Sequence, residues 1–357
     1  MQPLFRDDPG QLSIERDGPL DCLMTIFRYT DGAVASTALF VYIIAGLSLS
    51  LTLSLWLSDA SISIFYLLGF LGLCIYCAHL LVLCAYLAHE CMHNTVFKRP
   101  HHNNRLGAIL LWVLGAAYLP YGDLKTKHLR HHTERRDVLA VNYRQRLQRN
   151  PLLYRLVLCA QWLHVPAVEV YTHWLSMTAP FYLSGKAHLR GRIIIVALSR
   201  CLLFAVLIWL NPLALAVLLV AELLCYLVLG FMDAYQHTYT VEIEVSDEKT
   251  ATPFDRQFEE EHTYTNLISA RWPWLNLFVL NFCYHNVHHW KSGEPWYRLP
   301  ALHRQRYSGE CRNTISLPNQ LKNYHKYRTI RINPNVNQAD GDMQVLGAAG
   351  VSFLVGV

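Results

Sequence analysis

Charge is scarce in this 357-residue chain: Asp, Glu, Lys and Arg make up 16% of it, against about a quarter in a soluble domain of average composition. The shortage is concentrated in long uncharged runs, which sets aside an ordinary water-soluble domain and predicts an integral membrane protein. A net charge of +5 is too small to suggest a nucleic-acid partner. The ten cysteines are scattered. Even the C-x-x-C of Cys74 and Cys77 sits in an apolar stretch without a second pair. Neither a disulfide framework nor a zinc or redox motif is read from them, and they are expected to be buried small hydrophobes. The opening, MQPLFRDDPGQLSIERDGPLD, is polar and acidic and does not read as a cleavable signal peptide. No haem-binding HPGG, iron–sulfur cysteine cluster or Rossmann glycine fingerprint occurs.

What the chain has instead is histidine. Half of its 18 histidines fall in four short places. His89 and His93 lie in HECMH, His128, His131 and His132 in HLRHH, and His285, His288 and His289 in HNVHH. His237 stands alone in DAYQH, after a long apolar run. On a helix, imidazoles at i and i+3 or i+4 share a face, and the second His of each HH adds a donor slightly off it. One imidazole on an apolar face is ordinarily a satisfied core group. Three such boxes predict metal binding.

Two uncharged runs, 34–57 and 62–88, are each long enough to cross a bilayer core. The short turn Ser58, Asp59, Ala60 makes them a helical hairpin that runs directly into HECMH. Runs 193–210 and 213–232 form a second hairpin, turned at Asn211 and Pro212. Arg200 and Glu222 lie at matching distances from that turn, which predicts an intramembrane ion pair. Segment 98–149 is strongly basic and, by the positive-inside rule, cytoplasmic. Within it, 106–120 is apolar but too short to span, and is read as a re-entrant or interfacial helix. Residues 151–182 mix Leu, Trp and Tyr with polar groups. They predict an amphipathic surface helix or helix pair, with His164, His173 and His188 interfacial. An acidic, soluble-looking stretch follows His237 up to Thr265, and an apolar patch at 272–284 leads into HNVHH.

The domain reading is therefore a cytoplasmic N-terminal tail (1–33), a membrane domain (34–332) and a C-terminal tail without an assigned role (333–357). All four histidine groups then share the cytoplasmic face. The expected fold class is an all-α integral membrane protein. Its four transmembrane helices form two hairpins, and a cytoplasmic helical cap carries a histidine-rich di-metal site.

Neutral imidazole suits Zn, Cu, Fe and Ni. Nine candidates are too many for one tetrahedral zinc with its four ligands, so two metals fit the count. An all-nitrogen pair in a membrane points to iron and O2. Acyl chains offer only unactivated C–H bonds, which no side chain breaks by acid–base or nucleophilic means. HECMH, HLRHH and HNVHH, with the hairpins between them, resemble the membrane fatty acid desaturase and hydroxylase superfamily over residues 89–300. That resemblance implies two Fe ions held by the box histidines, with an additional ligand after the fourth span, where His237 stands. The family's water-bridging Asn, one helical turn earlier, is replaced by Asp233. Water ligand, direct ligand and orienting group all stay open for it. The first box is H-x-x-x-H, as in acyl-lipid desaturases. PWYRLP, from Pro295 to Pro300, recurs in bacterial members and in carotenoid ketolases.

The rival for HECMH is a zinc peptidase with Glu90 as general base, which leaves two HxxHH boxes unexplained. Under the resemblance, Glu90 orients a ligating imidazole. His262 competes with His237 for the ninth place, and His237 is preferred. His79 is read as making an intramembrane hydrogen bond, and His101, His102 and His303 as surface groups. Asp137, Asn266 and Asn286 lie close to the boxes. The implied activity is O2-dependent desaturation of a lipid acyl chain. Hydroxylation or ketone formation on a lipid, alkane or carotenoid is the alternative, because the reactions diverge only after the first hydrogen abstraction. A non-catalytic protein that keeps the metal site is set aside by the intact boxes. Two electrons per turnover require a separate donor, of ferredoxin or cytochrome b5 type with its reductase. Segments 125–136 and 291–306 are candidate docking faces for it, although the same charges could set topology and touch membrane lipids. With no appended domain or retention signal, the expected location is a bacterial inner membrane.

Overall fold

The computed structural model describes residues 26–57, 63–139, 141–239, 241–243, 255–307, 313–333 and 342–350. The turn expected at Ser58, Asp59 and Ala60, residues 1–25 of the N-terminal tail, most of the acidic stretch and the final residues 351–357 lie outside them. The chain is nearly all helical. It begins with α1 (Ala33–Leu57), α2 (Ile64–Met92), α3 (Pro100–Val113), α4 (Tyr121–Glu134) and α5 (Tyr143–Gln148). Next come α6 (Pro151–Trp162), α7 (Ala167–Thr178), α8 (Arg190–Leu210) and α9 (Pro212–Ala234). The last are α10 (Arg256–His262), α11 (His285–Trp290), α12 (Leu299–Arg306), α13 (Leu317–Tyr327) and α14 (Met343–Leu346). One departure from the all-α expectation is a pair of short parallel strands, β1 (Asp137–Leu139) and β2 (Val241–Ile243). They tie the chain just beyond HLRHH to the chain just beyond His237, where neither backbone has a helix to satisfy it.

Four helical stretches are long and apolar enough to cross a membrane: Thr30–Leu57, Ile64–Met92, Ser184–Leu210 and Pro212–Ala234. Only a helix satisfies its whole backbone within one segment, which an apolar surrounding demands. Their outer faces stay bare: Phe65, Ile195, Leu198 and Leu202 are exposed, and Trp209 is 82% exposed. Large contiguous apolar surface of this kind suits lipid contact and not water. Helix α2 is central. Every residue from Leu80 to Met92 is buried, because α1, α3 and α9 all pack along it. Helix α9 presents it a single stripe, Ala214, Val217, Ala221, Cys225 and Leu229, at the three-and-four spacing of one helical face. Cys74 and Cys77 are buried, as the apolar surroundings predict, whereas Cys159 and Cys201 are exposed, against the expectation of buried cysteines.

Starts and stops follow local chemistry. The Ser63 hydroxyl caps α2 by accepting from the Tyr66 N–H, and Asn211 caps α9 ahead of Pro212. Asn211 also donates to the Ser54 carbonyl at 3.1 Å, locking the α8–α9 corner to α1. Arg200 and Glu222 pair as their spacing predicts. Beside that pair, Gly115 has φ +71, and a Cβ there would meet the Arg200 guanidinium at 2.8 Å. Glycine is required on both counts.

Two expectations are corrected. The 106–120 run is not one helix: α3 starts earlier, with Pro100 in its first turn, and ends before the left-handed Gly115. The following Ala116, Ala117, Tyr118 and Leu119 are buried. Arg192 grips this turn, donating to the Ala117 carbonyl at 2.8 Å. Residues 151–182 do form a helix pair, α6 and α7, but His173 is not interfacial. It is buried, bonded to the Tyr118 hydroxyl and stacked on Tyr226 at 4.8 Å. The polar residues of α7 face inward because their partners come from far along the chain: Glu169 meets Arg331 at 2.5 Å, both side chains 2% exposed. Part of the C-terminal tail also has a place. Ala348 and Ala349 are buried, and Tyr235 donates to the Gln344 carbonyl at 3.2 Å.

Candidate metal centre

The nine box and lone histidines come from four elements that end at one place. His89 lies in the last turn of α2 and His93 caps that helix. HLRHH forms the end of α4, and HNVHH is most of α11. His237 follows α9, and its loop is pinned by backbone bonds from Thr238 N–H to the His262 carbonyl (3.0 Å) and from Tyr264 N–H to the Gln236 carbonyl (2.8 Å).

They assemble as two groups: His89, His93, His128, His132 and His288, and beside it His131, His237, His285 and His289. Within each group one ring nitrogen per residue lies within 4.8 Å of every other. In the first, His128 Nε2 is 2.8 Å from His93 Nε2 and 3.1 Å from His132 Nε2. In the second, His237 Nε2 is 2.6 Å from His285 Nε2, 3.0 Å from His289 Nε2 and 3.2 Å from His131 Nε2.

These contacts do not make sense as hydrogen bonds alone. A neutral imidazole has a single N–H. His289 directs Nδ1 at the Glu259 carboxylate (3.1 Å), and His131 directs Nδ1 at the Arg136 carbonyl (3.0 Å) and at Asp137 Oδ1 (3.1 Å). With those N–H groups committed, both Nε2 lone pairs point at His237. Burial favours the neutral form: it holds His93, His128, His132, His237, His285 and His289 well below their ordinary 6.5, and takes His288 down to about 3. Both ring nitrogens of His288, and Nδ1 of His285 and of His132, are buried without a hydrogen-bond partner among the described residues. Converging neutral lone pairs are repulsive until a Lewis acid sits among them. Ligand nitrogens each about 2.1 Å from a shared ion and at right angles would stand about 3 Å apart, as these do. The donor set suits the first-row metals that imidazole prefers, Zn, Cu, Fe and Ni.

The surroundings hold the rings in place. Glu259 is buried, and Arg135 Nε also meets it, at 3.2 Å. Tyr239 is fully buried, with its ring stacked on His237 at 4.7 Å. Phe282 meets His89 edge to face at 4.6 Å and stacks on Tyr86 at 4.3 Å, giving the first group an apolar wall. Asn286 accepts from the Thr265 hydroxyl, and Asn266 donates to the Met232 carbonyl, so both fix helix ends and touch no imidazole through these bonds.

Other expected site residues fall elsewhere. Glu90 Oε2 accepts from the Thr95 hydroxyl (2.6 Å) and the Trp296 N–H (3.1 Å), which joins the first box to the loop after the third. Asp233 Oδ1 accepts from Tyr86 at 3.4 Å and lies outside both groups. His262 stacks on Phe258 at 3.9 Å and lends its backbone, not its ring, to the centre. His79 packs between Tyr42 and Phe278, and His303 is half-buried between Tyr284 and Tyr307. Glu259 and Tyr239 were missed by sequence reasoning. Glu259 lies in an acidic run, DRQFEEEH, that reads as solvated surface.

A nearly all-helical chain with four membrane-length helices and two imidazole-only groups at their shared end defines an integral membrane metalloprotein. The family model described as fatty acid desaturase matches residues 64–315, and the chain belongs to that family. No curated protein matches the sequence.

Proposed function

We propose that the protein is a di-iron oxidase that introduces a double bond into a lipid acyl chain, using O2 and electrons from a separate donor. The observation that carries this reading is the pair of adjacent imidazole groups at one end of an apolar helix bundle. His89, His93, His128, His132 and His288 would hold one iron, and His131, His237, His285 and His289 the other. Iron bound there would activate O2, which is the oxidant, for taking hydrogen from an unactivated C–H bond.

The remaining roles belong to the chain itself. Glu259 and Asp137 hold His289 and His131 in the tautomer that presents Nε2 inward. Phe282 and Tyr86 keep water from the first group and offer an acyl chain an apolar surface. Asp233 is one turn before His237 yet outside both groups, which favours a water-holding or orienting role over direct ligation. In topology, the reading keeps two hairpins, with the N-terminus and the histidine groups in the cytoplasm, where the basic segments lie. The peptidase alternative is weakened because the Glu90 carboxylate is engaged by Thr95 and Trp296.

The test is lipid mass spectrometry of a host expressing the protein, beside a His288→Ala control. A lipid lacking two hydrogens, absent from the control, supports desaturation. A lipid that gains oxygen moves the assignment to hydroxylase or ketolase. Identical lipidomes with folded, iron-loaded protein and a supplied electron donor overturn the reading.

A further inference from the structure

We propose that Trp290 and the basic rim around it are the entry port for electrons, docking a small acidic one-electron carrier. The inference rests on the oxidase reading above and adds the place and path of electron delivery. Trp290 is the residue immediately after His289, at the end of α11, so one peptide unit joins its half-buried indole to a member of the second histidine group; His288, of the first group, precedes. Two cations stand over its ring: Arg306 at 4.4 Å and Lys291 at 4.6 Å. An aromatic ring one residue from the histidine groups, with two cations over it, is what a negatively charged carrier would meet.

The rim continues through contacts. Tyr29 donates to the Gly293 carbonyl at 2.9 Å, and Arg298 stands over the Tyr29 ring at 4.2 Å. Arg28 donates to the Asn94 carbonyl at 3.0 Å, and Lys125 to the Asn94 side chain at 2.7 Å. These contacts link five cations, Arg28, Lys125, Lys291, Arg298 and Arg306, with three carboxylates. Each carboxylate is already taken: Asp31 and Glu294 by Arg298, Glu260 by Arg306. Lys291 is exposed and forms no ion pair with a described residue. The other basic segment has paired arginines as well, Arg130 with Glu134 at 2.6 Å and Arg135 with the buried Glu259. What selects the Trp290 face is an aromatic ring next in sequence to His289 with two cations over it. In each delivery the carrier is oxidised by one electron and a metal ion in the histidine groups is reduced by one. Two deliveries serve each turnover.

The experiment uses purified full-length protein in nanodiscs of zwitterionic lipid, with a plant-type [2Fe–2S] ferredoxin as the acidic probe. Equilibrium binding should weaken as salt rises. Lys291→Glu with Arg306→Glu should weaken it at least about tenfold and flatten the salt dependence, and Lys291→Glu alone should give part of that loss. Trp290→Leu, assayed at saturating ferredoxin so that any loss of affinity is offset, should slow reduction of the bound iron by ferredoxin about tenfold or more, with reduction by dithionite unchanged. Unchanged affinity after charge reversal overturns the port. So does a reversal that alters only stabilisation by added phosphatidylglycerol, because the face would then rest on lipid. Normal reduction in Trp290→Leu overturns the path. Binding is read without turnover, so its failure counts against the port alone. Intact binding without lipid product counts against the oxidase reading.

Discussion

Replacing Glu259 by Ala tests how far the metal centre is set by residues outside the histidine boxes. Glu259 Oε1 lies 3.1 Å from His289 Nδ1, Oε2 lies 3.2 Å from Arg135 Nε, and the residue is 5% exposed. Its removal leaves the His289 N–H only the Tyr239 hydroxyl, at 3.5 Å, so the ring's preference for the tautomer that presents Nε2 inward weakens. A carboxylate in this position is worth about 10–100-fold in metal affinity, or about 1.4–2.7 kcal/mol. Glu259→Gln still offers an oxygen to the N–H and should fall nearer the lower figure. Iron retention against a competing chelator, in detergent-purified protein, measures both variants. The reasoning fails if Glu259→Ala retains iron as well as the unaltered protein does. It also fails if Arg135→Ala, with Glu259 intact, loses as much, for then the ion pair and not the tautomer would matter.

Two more outcomes follow from buried ionisable groups. The unfolded chain's histidines take protons near 6.5, whereas folded His288 resists until about 3. Stability is therefore level above the unfolded value and lost as pH falls through the window between them. Thermal melts of iron-stripped protein should drop steadily on acidification below 6.5, and a melt that stays flat there would refute the neutral cage. In the membrane-length helices, Arg200→Leu leaves the partly buried Glu222 without its cation, at a cost below the roughly 3–5 kcal/mol of a fully buried pair. Adding Glu222→Leu should restore yield and melting temperature, and absence of recovery would show that the pair does not act as a unit.

Much of the fold was legible because its causes are local. Uncharged runs, the Asn211–Pro212 corner and the matched depths of Arg200 and Glu222 all lie within a few helical turns. The inward polar face of α7 was not legible, since Glu169 and His173 are satisfied by Arg331 and Tyr118 from distant segments. Glu259 was hidden for the same reason. Nothing in an acidic run says that one of its carboxylates reaches a histidine thirty residues on.

The sequence by itself determined the histidines' identity, their clustering beside apolar helices, and hence a metal-binding membrane protein. Only the tertiary structure decided how the boxes are shared. In HLRHH, His128 and His132 join the first group and His131 the second; in HNVHH, His285 and His289 join the second and His288 the first. Residues i+3 and i+4 on a helix point about 100° apart. A single box can therefore contribute to both groups, but which ring joins which group depends on how α4 and α11 are rotated against α2 and the end of α9. That rotation is fixed by packing and by buried partners such as Asp137 and Glu259, and no spacing within a box encodes it.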